Sequence, residues 1–352
     1  MNVDQTSEVR KASEVSINKR RMYETRYHTE DLSDKSFLVT GGAGFIGSNI
    51  VEYLLKHHAG KVRVIDNLIT GSIHNIEEFK EYPNFEFIEG DIRDLIVCRE
   101  VCQDMDYVLH QAALGSVPRS LKEPELTNSV NVDGFLNMLI AAKDEKVKRF
   151  IYASSSSVYG DSRELPQIED RIGKPLSPYG VSKYVNELYA KVFYDNYGIE
   201  VIGLRYFNVF GPRQSPKGAY AAVIPLFIHS LMNAQDVYIN GDGTQTRDFT
   251  FVENAVQANI LALFTKNKKA VNQVFNVAVG ESYSVSQLYR FVCEFMGVKK
   301  NAFHREPRKG EIENSLADIS KAVTLLGYQP KVRFKDGLKM TIEYFKQKTP
   351  VK

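Results

Sequence analysis

The run Phe37-Leu38-Val39-Thr40, turning at once into Gly41-Gly42-Ala43-Gly44-Phe45-Ile46-Gly47, leaves this chain few folds to adopt. The apolar and β-branched residues read as a buried strand, the glycine cluster as a tight turn, and the spacing through Leu55 as a helix. The alternation then repeats. Lys61–Ile65, Phe85–Ile88, Tyr107–His110, Arg149–Ala153 and Val201–Arg205 carry strand patterns; Arg93–Gln103, Glu125–Lys143 and Pro178–Tyr197 carry helical ones. Short apolar strands alternating with helices predict a parallel sheet covered on both faces, and right-handed crossovers make it doubly wound.

Residues 35–210 form this first, dinucleotide-binding domain. After Phe210-Gly211-Pro212 the segments shorten, with helical patterns at Ala222–Asn233, Val252–Thr265, Ser286–Met296 and Lys335–Gln347. Residues 211–352 read as a smaller α/β lobe, some of whose late segments return to the first sheet. Residues 1–34 are charged and lack apolar periodicity before Leu32, which predicts a mobile arm with a short docking helix near Met22–Tyr27.

The glycine turn suits a phosphate. Gly41 makes the turn, Gly44 admits a pyrophosphate to the backbone, and Gly47 lets helix and strand close up, with the helix N-terminus facing the anion. The next strand ends Val64-Ile65-Asp66, and a carboxylate there accepts ribose hydroxyls and repels a 2′-phosphate, which favours NAD over NADP. Asp91 closes the third strand, either accepting from an adenine amino group or capping the following helix. Gln111-Ala112-Ala113 allow close backbone approach, and His110 reads as a buried structural residue.

Tyr179 and Lys183 stand four apart, so in the Pro178–Tyr197 helix both leave the same face. An ammonium beside a phenol lowers its pKa from the usual ~10 and gives a base that works near neutrality. The run Ser154–Ser157 supplies hydroxyls to the same place. Alone, a Tyr-x-x-x-Lys spacing also describes an ordinary exposed helix face.

Together, Gly41-x-x-Gly44-x-x-Gly47, Asp66, Asp91, Ser154-Ser155-Ser156-Ser157-Val158-Tyr159-Gly160 and Tyr179-x-x-x-Lys183 resemble the extended short-chain dehydrogenase/reductase family, over nearly everything from Ser36 onward. Leu204–Gly211, Ala219–Pro225, Gly241–Phe249 and Arg308-x-Gly310-Glu311 are similar to its nucleotide-sugar 4-epimerases, especially the branch acting on UDP-N-acetylglucosamine (UDP-GlcNAc) and UDP-N-acetylgalactosamine (UDP-GalNAc). The resemblance implies a Rossmann-like doubly wound parallel sheet with a smaller C-terminal α/β substrate lobe, and a tightly bound, recycled NAD. It implies Tyr179 as base, Lys183 as its partner on the nicotinamide ribose, and Ser155 as the relay to the sugar hydroxyl. Phe45, Ile46, Asn67, Ile92, Asn131 and Tyr206 are implied as further cofactor contacts. Gly115, Ser116, Ser156, Asn208, Ala222, Val223, Tyr238, Asn240, Arg247, Arg308 and Glu311 are implied on the UDP-sugar side, where guanidinium groups suit a diphosphate. A homodimer through the Glu125–Lys143 and Pro178–Tyr197 helices is implied as well.

Departures from the family pattern narrow the chemistry. Related dehydratases carry acidic residues where Ser156 and Ser157 stand, and UDP-glucuronate decarboxylases a glutamate where Ser157 stands; neither is present, which leaves oxidation and return at C4. Ser315 occupies the place of a bulky tyrosine in epimerases restricted to glucose and galactose, making room for an N-acetyl group. UDP-glucose or UDP-glucuronate 4-epimerisation is the alternative, then decarboxylation or dehydration. A non-catalytic member is disfavoured by the Tyr179–Lys183 pair.

Composition sets outer bounds. A net charge of +2 over 352 residues gives no general attraction for nucleic acid or an anionic membrane. The three cysteines, Cys98, Cys102 and Cys293, make no disulfide framework. Cys98 and Cys102 read as small buried hydrophobes, so no metal site is expected. No apolar run approaches the ~18 residues of a membrane span, and a cytoplasmic protein is expected.

Overall fold

The computed structural model describes residues 22–217, 221–307 and 313–348. Seven parallel strands form the main sheet: β1 (Ser36–Thr40), β2 (Lys61–Asp66), β3 (Phe85–Glu89), β4 (Tyr107–His110), β5 (Arg149–Ser155), β6 (Glu200–Tyr206) and β7 (Gln273–Val277). Their order is β7-β6-β5-β4-β1-β2-β3. The chain runs outward from β1 in both directions, so the crevice between β1 and β4 is the switch point where doubly wound sheets take ligands. β7 comes from beyond residue 211 and pairs with β6 from Gln273↔Ile202 to Val277↔Tyr206, a late return to the first sheet.

Helices cover both faces. α1 (Phe45–Lys56) packs with a helix from the second half of the chain, Val252–Phe264, on one face. On the other lie α2 (Leu95–Cys102), α3 (Gly134–Asp144) and α4 (Pro178–Tyr197). We label Val252–Phe264 α5. The best signposted is α4: Ser177 accepts from Gly180 N as N-cap, Pro178 follows at the first turn, and Gly198 ends the helix at φ 72. Two arginines on strands then cap helices on opposite faces. Arg63 on β2 donates to the carbonyls of Glu100, Val101 and Gln103 at the end of α2; Arg149 on β5 donates to those of Ala262, Leu263 and Thr265 at the end of α5. Each places a cation on the negative end of a helix dipole.

The remaining chain builds a second lobe around Phe210, Phe227, Phe251, Phe291 and Phe334. Helices Val223–Met232, Val285–Met296 and Phe334–Lys348 surround short ladders, of which Tyr238–Asn240 with Phe303–Arg305 and Thr246–Asp248 with Ser282–Ser284 face the first lobe's strand ends.

Two expectations need correction. Residues 22–34 are not a loose arm, and Met22–Tyr27 is not helical. Tyr23, Tyr27 and Leu32 are buried in the core against α1, and Tyr27 N donates to the Tyr53 hydroxyl rather than to a helical carbonyl. The segment's apolar side chains are aromatic and irregularly spaced, so periodicity does not reveal them. The expected helix Glu125–Lys143 also contains a π turn, Ser129–Asp133, between Pro124–Asn128 and α3. One extra residue per turn leaves the apolar pattern almost unchanged, and such turns recur at functional sites.

Candidate active site

Two cavities meet above the C-terminal ends of β1, β2, β4, β5 and β6. The first, about 450 Å³, is lined by the glycine turn, Asp66, Gln111–Gly115, Ser154–Ser157, Tyr179, Lys183 and Tyr206. The second, about 360 Å³, lies between the lobes and is lined by Ser116, Ser156, Ser157, Ala222, Val223, Tyr238, Asn240, Arg247, Arg305 and Ser315. They share a wall made of Ser156, Ser157, Asn208, Val209 and Gln214.

β5 delivers the serine run to this wall and splits it. Ser154 turns away and donates to Glu187 Oε1 at 2.5 Å. Ser155 ends the strand in register with Tyr206, accepts from Ser157 N, and hydrogen-bonds the Tyr179 hydroxyl. Tyr179 rises from the first turn of α4, and Lys183, one turn on, donates its Nζ to Ala153 O at 2.8 Å. Ser155, Tyr179 and Lys183 thus converge beside the shared wall. The electrostatics differ from the expectation that Lys183 lowers Tyr179. Burial pushes the phenol above its ordinary value, the Ser155 hydrogen bond opposing it, while burial pushes the Lys183 amine down to about 8.

The model of the NAD dependent epimerase/dehydratase family matches residues 37–278. The chain belongs to that family. The solved UDP-N-acetylglucosamine 4-epimerase of Methanobrevibacter ruminantium, in complex with UDP-N-acetylmuramic acid, is 39% identical with a TM-score of 0.85, covering 90% of this chain and 99% of its own. The UDP-glucose 4-epimerase of Thermotoga maritima with UDP-glucose is 38% identical with a TM-score of 0.84, covering 89% and 99%. The UDP-glucuronic acid 4-epimerase of Bacillus cereus, in complex with UDP-glucuronic acid and NAD, is 37% identical with a TM-score of 0.82, again covering 89% and 99%.

This epimerase/dehydratase family member is therefore an NAD-dependent enzyme, and the first cavity fits NAD. No side chain caps α1 at Gly44 and no acidic residue stands in its first turn, so its leading N–H groups are left for an anion. Gly41 has φ 66 and lies so close to Ala112 that a Cβ would come within 2.7 Å of its nitrogen. A Cβ on Gly47 would overlap the Gly41 carbonyl. Gly47→Val is accordingly expected to purify with less than about a tenth of the parental NAD, read by absorbance of the denatured protein's supernatant, because backbone rather than a flexible side chain must yield.

Asp66 is buried and accepts from Ala43 N and Leu68 N; burial raises its pKa, those donors opposing. Phe45, Ile46, Asn67, Ile92 and Gln111–Ala113 line the same cavity. Two implied cofactor residues do not. Asp91 is held down at about 2, chiefly by Arg93, and receives Asn67 Nδ2; the helix cap is Asp94, which accepts from Ile96 N and Val97 N. Asn131, in the π turn, spends its amide on Leu114 N, Leu114 O and Ser182 Oγ, so it braces the β4 loop and α4. His110 is buried against Phe135 and Phe150, bonded to Thr40 Oγ1, and pushed down to about 3 by burial.

In the second cavity Arg247 Nη1 donates to the carbonyls of Thr246 and Glu313, and Asn240 Oδ1 accepts from Arg305 Nε, whose guanidinium lies over Tyr238. Ser116 and Asn208 hold positive φ, 117 and 35, the kind of strained backbone that clusters at functional sites. Arg308 and Glu311 lie outside the described residues. Sequence reasoning missed Gln214, Arg305 and Asn259. Gln214 sits on the shared wall with a buried Oε1 that has no hydrogen-bond partner among the described residues. Asn259, on α5, closes a ring with Gln111 and Tyr206. Only the fold brings these distant residues together; no local motif marks them. Among the described residues no metal-binding cluster occurs, and no helix is long and apolar enough to cross a membrane.

Proposed function

We propose that the chain is a UDP-hexose 4-epimerase that interconverts UDP-GlcNAc and UDP-GalNAc. When bound, NAD supplies the acceptor and donor of the C4 hydride. Tyr179 would take the proton of the 4-hydroxyl through Ser155 as a phenolate, which the Lys183 ammonium favours against the burial that opposes it, and return that proton after the 4-keto sugar has presented its other face. Arg247 and Arg305 suit the diphosphate, and Tyr238 and Asn240 the uridine side. The observation that carries the reading is the wall itself. Ser156 and Ser157 stand there with Ser155 next to them in the first cavity, and among the described residues Asp66 is the only carboxylate lining either cavity. Elimination or decarboxylation chemistry would need a placed acid and base beside the sugar.

The N-acetyl preference is supported by Ser315. It is small, lines the second cavity, and has a buried Oγ with no partner among the described residues. An acetamido group offers that hydroxyl a carbonyl acceptor. Ser315→Tyr is expected to slow UDP-GlcNAc turnover at least ~10-fold while leaving UDP-glucose turnover within a few-fold. Incubation with each UDP-hexose separately, followed by NMR, tests the whole. Faster interconversion of the N-acetylated pair is expected. Interconversion confined to UDP-glucose and UDP-galactose would move the enzyme to that branch, and no C4 inversion of any UDP-hexose would refute the function. A cytoplasmic homodimer belongs to the same reading; Val181, Leu188 and Val192 on α4 are exposed, which suits helix pairing with a second copy.

A further inference from the structure

Tyr23 and Arg213 lie far apart in sequence, lack glycine's freedom, and both hold left-handed backbone, at φ 66 and φ 69. Such conformations persist only where the surroundings over-determine them. Here the two converge on one side chain. The Tyr23 hydroxyl donates to Asn49 Oδ1 at 2.6 Å, and Arg213 Nη1 approaches the same oxygen at 3.5 Å. Asn49 Nδ2 donates in turn to Phe45 O, in the first turn of α1, and to Pro212 O. Arg213 is nearly buried, lies over the Phe79 ring, and pairs with Glu52 at 2.8 Å and Glu78 at 2.7 Å. The phenol of Tyr344, on the Phe334–Lys348 helix, lies beside Arg213, whose charge and backbone oppose the burial that raises its pKa.

The turn Gly211–Gln214 is thereby clamped from three sides: the 22–34 segment, the back of the glycine-turn helix, and the last described helix. Gln214 N closes the turn on Gly211 O, and its Nε2 donates to Val209 O. Successive side chains leave in opposite directions, Arg213 over α1 and Gln214 onto the wall between the cavities.

We propose that Arg213 and Tyr23 form a latch that positions Gln214 on the shared wall, making Arg213 a positioning residue for sugar-nucleotide binding. As far as it concerns the sugar, this rests on the function proposed above. The wall is reached through one clamped turn, so loosening the clamp displaces Gln214 before it disturbs Tyr179 or the glycine turn. A small misplacement beside a reacting sugar is costly.

The test uses the full-length enzyme as purified, with Arg213→Met, Arg213→Lys and Tyr23→Phe beside the parent. Hydrogen exchange by mass spectrometry over residues 209–217 reads the latch, and steady-state kinetics with UDP-GlcNAc reads its consequence. Arg213→Met is expected to speed exchange in that peptide at least ~10-fold and to raise KM roughly 10-fold with kcat within about 3-fold. Arg213→Lys should recover most of the KM, and Tyr23→Phe should shift both readouts in the same direction by less. A merely structural role would lower the melting temperature and leave KM of the folded enzyme unchanged, which would overturn the proposal, as would unaltered exchange. If Arg213→Met fails to fold, Tyr23→Phe decides by the same two readouts. If the parent turns over no UDP-hexose, the proposed function falls while exchange over 209–217 still decides the latch.

Discussion

Tyr179→Phe is expected to retain NAD and to bind UDP within a few-fold of the parent, while kcat for C4 inversion falls by about 10²–10⁴. The ring stays in place and only the proton carrier is lost. Supernatant absorbance gives the NAD content, calorimetry the UDP affinity and NMR the rate, so a binding defect is separated from a chemical one. Retention of the parental rate would remove Tyr179 from the reaction. The half-buried hydroxyl lines the first cavity and is bonded to Ser155 beside the shared wall.

The second large effect concerns stability. Beneath the serine run, Glu187 accepts from Arg205 Nε at 2.9 Å and Nη2 at 2.8 Å, both side chains being less than a tenth exposed. Ser154 donates to the same carboxylate, Arg205 Nη1 donates to Glu169 O, and the guanidinium lies 4.9 Å from the centre of the Tyr159 ring. Glu187→Ala strands a buried guanidinium and is expected to cost about 3–5 kcal/mol, read as a lower urea midpoint at unchanged slope. Replacing both partners by apolar residues of similar volume should cost far less. Loss of only ~0.5 kcal/mol in the single variant would mean that water reaches the pair.

Much of this was legible in the residues because it depends on neighbours in the chain. A strand of apolar residues, a glycine turn and a serine–proline helix start are local statements, and β1, β4 and α4 fall where those statements place them. The Tyr179–Lys183 pair is equally local, one turn apart on one helix. What the sequence conceals depends on distance. Asn259 is polar in a helix almost wholly buried, and nothing around it says that its partners are Gln111 and Tyr206. Tyr23 and Tyr27 look like part of a charged tail because their partners, Asn49 and Glu253, lie on α1 and α5. Spacing places Lys183 on the right face of α4 but does not say that its ammonium donates to Ala153 O or that burial raises the Tyr179 pKa.

The arginine caps at Arg63 and Arg149 have a consequence for how such a protein changes over time. Arg149 opens the seven-residue β5, which Ser155 ends, and Arg63 is the third residue of the six-residue β2, which Asp66 ends. At ~3.3 Å per residue Arg149 lies roughly 20 Å from Ser155 and Arg63 roughly 10 Å from Asp66, at or beyond the range at which substitutions usually interact. Changes at the capped end and at the ligand end should therefore combine additively. A lineage can drift in heat tolerance at one pole and in sugar preference at the other, with neither history constraining the next step of its counterpart.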